Sequence, residues 1–209
     1  RHHVLDAGCG FGQWSVALAT ANNRVSACDI SPTRVAFLRD VALRAGIANL
    51  DVCQSSLEAL PYENGLFDAV FCYSTLPFTP WRQSLREIAR VLRPGGMCYV
   101  NANEFGWYAF LWQEEYNKGV GYDPRAKAAR ALQDTLTYER GEPVEPGNDV
   151  IITEAMLKVE MAALGFVDIA VADEVRLHLN RAAAEPVPFF SGQYYGLRGV
   201  YEVVARLGI

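Results

Sequence analysis

Short apolar runs alternate with stretches of helical period through the first half of the chain, the pattern of a parallel sheet covered by helices on both faces. Strands are predicted over His3 to Ala7, Arg24 to Ile30, Leu50 to Ser55, Phe67 to Tyr73 and Met97 to Asn101. Between them, Ser31-Pro32 supplies an N-cap followed by proline at the first helical position, and Val35, Leu38, Val41, Ala42 and Ala45 mark one apolar face up to Gly46. A helix from about Arg82 to Leu92 sets Leu85, Ile88, Ala89 and Leu92 on one side. Arg82, Arg86 and Arg90 line another, read as a solvated face, and Pro94-Gly95-Gly96 stops the helix.

After Asn101 the texture changes. Aromatic residues crowd into one segment, with Phe105, Trp107, Tyr108, Phe110, Trp112 and Tyr116, followed by a helical stretch from Pro124 to about Arg140 and the turn-rich GEPVEPGND. A doubly wound sheet needs nothing of this kind between two strands. Residues 104–152 are therefore expected to form an inserted lid over the carboxyl ends of the strands, within a single domain spanning 1–209. The alternation resumes with a helix at Thr153 to Leu164, stopped at Gly165, and two strands, Phe166 to about Leu177 and Gly199 to Ala205.

Composition narrows the picture. Of 209 residues, 51% are hydrophobic and 21% charged, as in an ordinary globular protein, and the net charge of −5 speaks against broad binding to a phosphate backbone. Five widely spaced cysteines, Cys9, Cys28, Cys53, Cys72 and Cys98, show neither CxxC pairs nor zinc-like spacing, and read as small packing residues in a reducing, cytoplasmic setting. No apolar run is long enough to span a bilayer, and no signal peptide precedes the first strand. The chain opens inside that strand, so a further N-terminal segment is expected ahead of it.

Candidate chemistry begins at VLDAGCGFGQWSVALA, where an apolar strand passes through Gly8, Gly10 and Gly12 into a helix. Such a turn lets backbone approach a ligand closely. A G-x-G-x-x-G dinucleotide fingerprint would need glycine or alanine where Gln13 stands, and Asp6 would repel a pyrophosphate at this helix start. A ligand carrying an ammonium and a nearby sulfonium would gain from Asp6 instead. Asp29, at the end of the second strand, lies where a carboxylate can accept both hydroxyl protons of a ribose; the plainer alternative is a carboxylate favoured by a helix N-terminus.

Four segments in order, LDAGCGFG, CDISP, SSLEALPYENGLFDAVFC and REIARVLRPGGMCYV, resemble the successive motifs of class I S-adenosylmethionine-dependent methyltransferases, over about residues 2–103 and again at the last two strands. The resemblance implies an α/β fold with a doubly wound, mostly parallel seven-stranded sheet whose last strand is antiparallel. It also implies S-adenosylmethionine, or S-adenosylhomocysteine as product, at the turn. Gly8, Cys9, Gly10 and Gly12 would contact the methionine end, Asp6 its ammonium, Asp29 the ribose hydroxyls, and Ile30 the adenine. Many relatives place an aspartate after the third strand to accept from the adenine amino group. Here Ser56 stands there, a weaker acceptor, with the backbone N–H of Leu57 beside it. Cys72, Tyr73 and Ser74 would line the boundary between cofactor and acceptor, and this triplet stands where metal-assisted relatives carry carboxylates, so no metal is expected.

Methyl transfer is an in-line displacement at carbon, for which alignment in a dry site is the main requirement and a base is optional. Glu104 and His178, near strand ends, are the candidate bases, with a helix-cap or surface role as the alternative for Glu104 and a half-exposed strand residue as that for His178. Trp107, Tyr108, Trp112 and Tyr194 are candidate acceptor contacts, with a small helical core as the competing reading of the aromatic segment. The expected reaction is methylation of oxygen or nitrogen on a small molecule, with neither nucleic acid nor membrane as partner and the oligomeric state open. Its rivals are a cofactor-binding domain without turnover and an NAD-dependent oxidoreductase.

Overall fold

The computed structural model describes residues 2–174, 176–177 and 187–209. Seven strands form one sheet: β1 (His3–Ala7), β2 (Arg24–Asp29), β3 (Leu50–Gln54), β4 (Phe67–Cys72), β5 (Leu92–Asn103), β6 (Phe166–Asp173) and, last in the chain, β9 (Val200–Leu207). Their order is β3-β2-β1-β4-β5-β9-β6, parallel from β3 through β5 and with β9 antiparallel to both neighbours. The expected seven-stranded sheet with an antiparallel last strand is therefore present. A two-stranded hairpin, β7 (Gln193–Tyr194) and β8 (Leu197–Arg198), lies apart from the sheet. Two-residue strands carry no periodic signal, so nothing in the hydrophobic pattern marks them. Their loop, Tyr195-Gly196, has positive φ at both residues, the twist that a tight hairpin requires.

The helices are α1 (Gln13–Ala21), α2 (Pro32–Arg44), α3 (Trp81–Val91), α4 (Phe105–Glu114), α5 (Pro124–Glu139) and α6 (Glu154–Ala163). In α2 the Ser31 hydroxyl accepts from the Arg34 N–H, Pro32 occupies the first turn, and Val35, Leu38 and Ala42 are buried, as the pattern predicts. Helices α1 and α2 cover the β1 to β3 end of the sheet through Ala19, Leu38 and Ala42. Helices α3 and α6 cover the other face, where Leu85, Ile88, Leu157 and Met161 pack on Val70, Cys98, Val100 and Val203. All five cysteines are free and four are buried, in keeping with packing roles.

Three expectations need correction. Strand β5 starts at Leu92 and runs through Pro94-Gly95-Gly96, bulging between its pairings Phe67↔Leu92 and Ala69↔Met97. Strand β6 ends at Asp173, short of Leu177. The arginine stripe of α3 is solvated only at Arg86: Arg82 makes a two-pronged pair with Glu139 of α5 and lies near Glu160 of α6, while Arg90 is held by Glu87 and the Leu60 and Tyr62 carbonyls. Most of these partners come from other parts of the chain, beyond the reach of periodicity. Among the described residues no helix is long and apolar enough to cross a membrane.

Candidate active site

The sheet reverses its winding direction between β1 and β4, so their carboxyl ends flank a crevice. The Gly8–Gly12 turn lies at its rim and is held almost wholly by backbone. The Gly8 and Cys9 N–H groups both donate to the Cys28 carbonyl at 2.9 Å, and Gly12 N–H donates to the Cys9 carbonyl. Two glycines serve opposite ends. Gly10 has φ +57° with open space where a Cβ would stand, leaving the backbone accessible to a ligand. Gly12 has φ +89°, and a Cβ there would stand 2.1 Å from Leu38 Cδ1, so it lets α1 and α2 close together. Cys9 is buried against this helix layer, which limits its expected ligand contact to backbone.

Asp29 closes the turn from the side. Its Oδ2 accepts from Gly10 N–H and its Oδ1 from Ser31 N–H, each at 2.9 Å, and Arg34 Nη1 stands 3.7 Å from Oδ2. Each carboxylate oxygen has two acceptor positions, so one on each remains for a pair of vicinal hydroxyls. Ile30 is 64% exposed beside it, and Phe11, 56% exposed, packs edge-on against Phe37. Phe11 is not among the residues expected from sequence, although a large aromatic between two turn glycines is a legible signal. Asp6 lies buried beneath the turn, accepting from the Ser15 hydroxyl at 2.5 Å. Burial raises its pKa to about 6, which the Ser15 hydrogen bond lessens and the Asp29 charge adds to. A nearby cation would reverse that shift. The donor set therefore fits a nucleoside with a cationic tail better than a diphosphate.

The remaining expected contacts divide. The Ser56 hydroxyl accepts from Glu58 N–H in a half-buried loop, and Leu57 is packed in the main core. Cys72 needs correcting as a ligand contact: its side chain faces the core, and burial pushes its thiol pKa up. Tyr73, on the opposite side of the strand, is half-buried and its hydroxyl donates to Glu174, whose other oxygen accepts from Phe190 N–H. Glu174 is 1% exposed. Beside this pair, the Tyr99 hydroxyl donates to buried Glu202. Neither glutamate stands out in the sequence, since each meets its tyrosine across about a hundred residues of chain. Ser74 takes positive φ, its N–H donating to Asn101 Oδ1.

Glu104 is the single residue between β5 and α4; its side chain does not cap α4 but accepts from the Glu154 N–H at 3.0 Å, so its carboxylate braces the start of α6. His178 lies outside the described residues. The four expected acceptor contacts separate onto opposite faces of α4. Trp107 joins Phe110, Tyr116, Phe190 and Tyr194 in one aromatic cluster, with Tyr194 stacked on Phe110 at 4.4 Å. Phe190 ties this cluster to Glu174 and so to Tyr73. Tyr108 lies mostly inside, with an edge on the groove beside α4. It is 2% exposed in a small core with Leu111, Ala128, Ala131 and Ile151, and its hydroxyl donates to Asp149, itself paired with Lys127. Trp112, 51% exposed, lines an open groove on the face away from Trp107.

Residues 4–96 match the family described as methyltransferase domain. Among curated relatives, the 27-O-demethylrifamycin SV methyltransferase of Amycolatopsis mediterranei (strain S699) is 38% identical over 96 residues, 44% of this chain and 35% of that protein. An uncharacterized methyltransferase, YodH, of Bacillus subtilis (strain 168) is 36% identical over 94 residues, 45% of this chain and 40% of its own length. The matched stretch thus spans less than half the length of these relatives. Among solved structures, an S-adenosylmethionine-dependent methyltransferase from Methanosarcina mazei superposes with a TM-score of 0.67 at 17% identity, covering 100% of this chain and 93% of that one. The [4+2]-cyclase SpnF superposes with a TM-score of 0.63 at 20% identity, covering 100% and 76%. The sheet order, the glycine turn with its two carboxylates and the matched segment agree: residues 4–96 are similar to the methyltransferase domain family, and the chain as a whole has the fold of solved S-adenosylmethionine-dependent methyltransferases.

Proposed function

We propose that the protein transfers a methyl group from S-adenosylmethionine to an oxygen or nitrogen of a small molecule. The observation that carries this reading is the pair of buried carboxylates at the turn: Asp29 with hydroxyl-accepting positions left, and Asp6 beneath the bend, where a cationic tail relieves its burial. Gly8, Gly10 and Gly12 would hold the methionine end, Ile30 and Phe11 the adenine, and Ser56 with the Leu57 N–H its edge. The bound cofactor supplies an electrophilic methyl whose leaving group is a neutral thioether. The chain's own task is then to align the acceptor and receive its proton.

Tyr73 and Glu174 support that second task. An acceptor O–H or N–H meeting the Tyr73 phenol oxygen passes its proton there while the phenol proton moves to Glu174. Trp107 and Tyr194, joined to this pair through Phe190, would carry the acceptor's ring or sugar face. Net charge −5 supports a small molecule over nucleic acid as the acceptor.

Calorimetry with S-adenosylhomocysteine, followed by labelled methyl transfer into small-molecule extracts, tests the reading. Saturable binding with label in a low-mass product is expected, and tighter binding of NAD would sink it. A cofactor-binding domain without methyl transfer is the second reading, because the same fold is found in a [4+2]-cyclase; binding without any labelled product would favour it.

A further inference from the structure

Helix α4 presents two aromatic surfaces at helical spacing. Trp107 and Phe110 close against Tyr194 and Phe190 on the side of Tyr73, whereas Phe105, Ala109 and Trp112, at i, i+4 and i+7, form the opposite stripe. That second stripe is open. It forms one wall of a groove of about 620 Å³, closed on the other sides by Ala128 and Leu132 of α5 and by Tyr195 and Leu197 of the hairpin. Phe105, Trp112, Leu132, Tyr195 and Leu197 are each between 45% and 57% exposed, a concentration of apolar surface that a lid needing only an inner face would not require. The volume lies within the range of small-molecule sites.

The groove's polarity selects its occupant. Of its ten described lining residues, Glu114 alone is charged, and its carboxylate accepts from the Tyr195 hydroxyl at the C-terminal end of α4. Among the described residues no lysine or arginine lines the groove. The π-faces of Phe105, Trp112 and Tyr195 add a second attraction for positive charge, since aromatic quadrupoles favour cations. We propose that this groove is a second small-molecule site, separate from the methyl-transfer crevice, for an organic cation: an apolar, ring-bearing body against Trp112 and Leu132 with an ammonium directed to Glu114.

Two probes that share a ring and differ in charge test this, naphthylmethylammonium and naphthoate, titrated against the full chain by fluorescence and calorimetry. The ammonium probe is expected to bind about tenfold or more tighter than naphthoate, combining ion pairing with cation–π attraction. Glu114→Gln should weaken it about fivefold and leave naphthoate unchanged. Trp112→Ala should weaken both, with S-adenosylhomocysteine binding intact as proof of folding. Saturation with S-adenosylhomocysteine should leave the ammonium titration unmoved, and this arm separates the site from the crevice even if methyl transfer is never found. Equal affinity for the two probes would overturn the proposal. So would displacement by S-adenosylhomocysteine, a titration indifferent to Trp112→Ala, or a doubling of mass in light scattering that buries the groove between two copies.

Discussion

The glycine turn and the α4–α5 segment stand at the same end of the sheet, after β1 and after β5, and are built by opposite means. At the turn, main-chain groups hold position: Gly8 and Cys9 on the Cys28 carbonyl, Gly10 on Asp29, and Gly12 under Leu38. In the α4–α5 segment, side chains hold position: Tyr108 to Asp149 to Lys127, and Tyr194 on Phe110. A backbone-built site tolerates few changes and reads as a motif. A side-chain-built one can change its surface without disturbing the sheet, so the turn is recognisable in sequence and the region proposed to hold the acceptor is not.

The sharpest break of this contrast is Gly12→Ala. The added Cβ meets Leu38 in a left-handed backbone conformation, and urea unfolding should show a loss of about 3–4 kcal/mol; a loss below about 1 kcal/mol would mean that α1 and α2 can part freely.

Asp6 tests the same half through pH. Its folded pKa of about 6 lies above the ordinary 3.8, so the fold favours the protonated form. The stability this contributes is complete below about pH 4 and is lost as pH rises through about 6, on the order of 3 kcal/mol in the ligand-free protein. Binding of a cationic tail favours the ionised form, so S-adenosylhomocysteine affinity should fall as pH drops below about 6. Asp6→Asn should flatten both profiles, and profiles unchanged in that variant would remove Asp6 from the linkage.

Asp29→Ala comes next. Two backbone donors lose their acceptor and the ribose loses its partner, for an affinity loss of about 2 kcal/mol by calorimetry with the fold retained. Undiminished binding would falsify the ribose assignment.

The smallest effect belongs to the α4–α5 segment. Tyr108→Phe leaves Asp149 with Lys127 alone and should cost about 1–2 kcal/mol, read as faster hydrogen exchange in α4 and α5 with S-adenosylhomocysteine affinity unchanged. A matching drop in that affinity would show the two halves to be energetically coupled.

Local chemistry is legible in the sequence. Ser31-Pro32 starts α2 and its apolar face is the buried one, the bend after β1 follows the glycines, and the strands alternate as their apolar runs predict. Signals of this kind lie within a few residues of one another, where propensity and spacing act directly. The seven-stranded order and its antiparallel member follow from the family resemblance, since no local signal specifies which strands pair.

The sequence alone thus determined where backbone must bend, which faces must be buried and that two carboxylates flank the bend. Only tertiary structure decided what the polar side chains far apart in the chain do. It turned Arg82 into a clamp on α5 and α6, committed Glu104 to α6 and Tyr108 to a core, and joined Tyr73 to Glu174. The physical reason is range: a helix or turn is settled by neighbours in sequence, whereas a buried hydrogen bond or ion pair depends on which distant surfaces the packed sheet brings within about 3 Å.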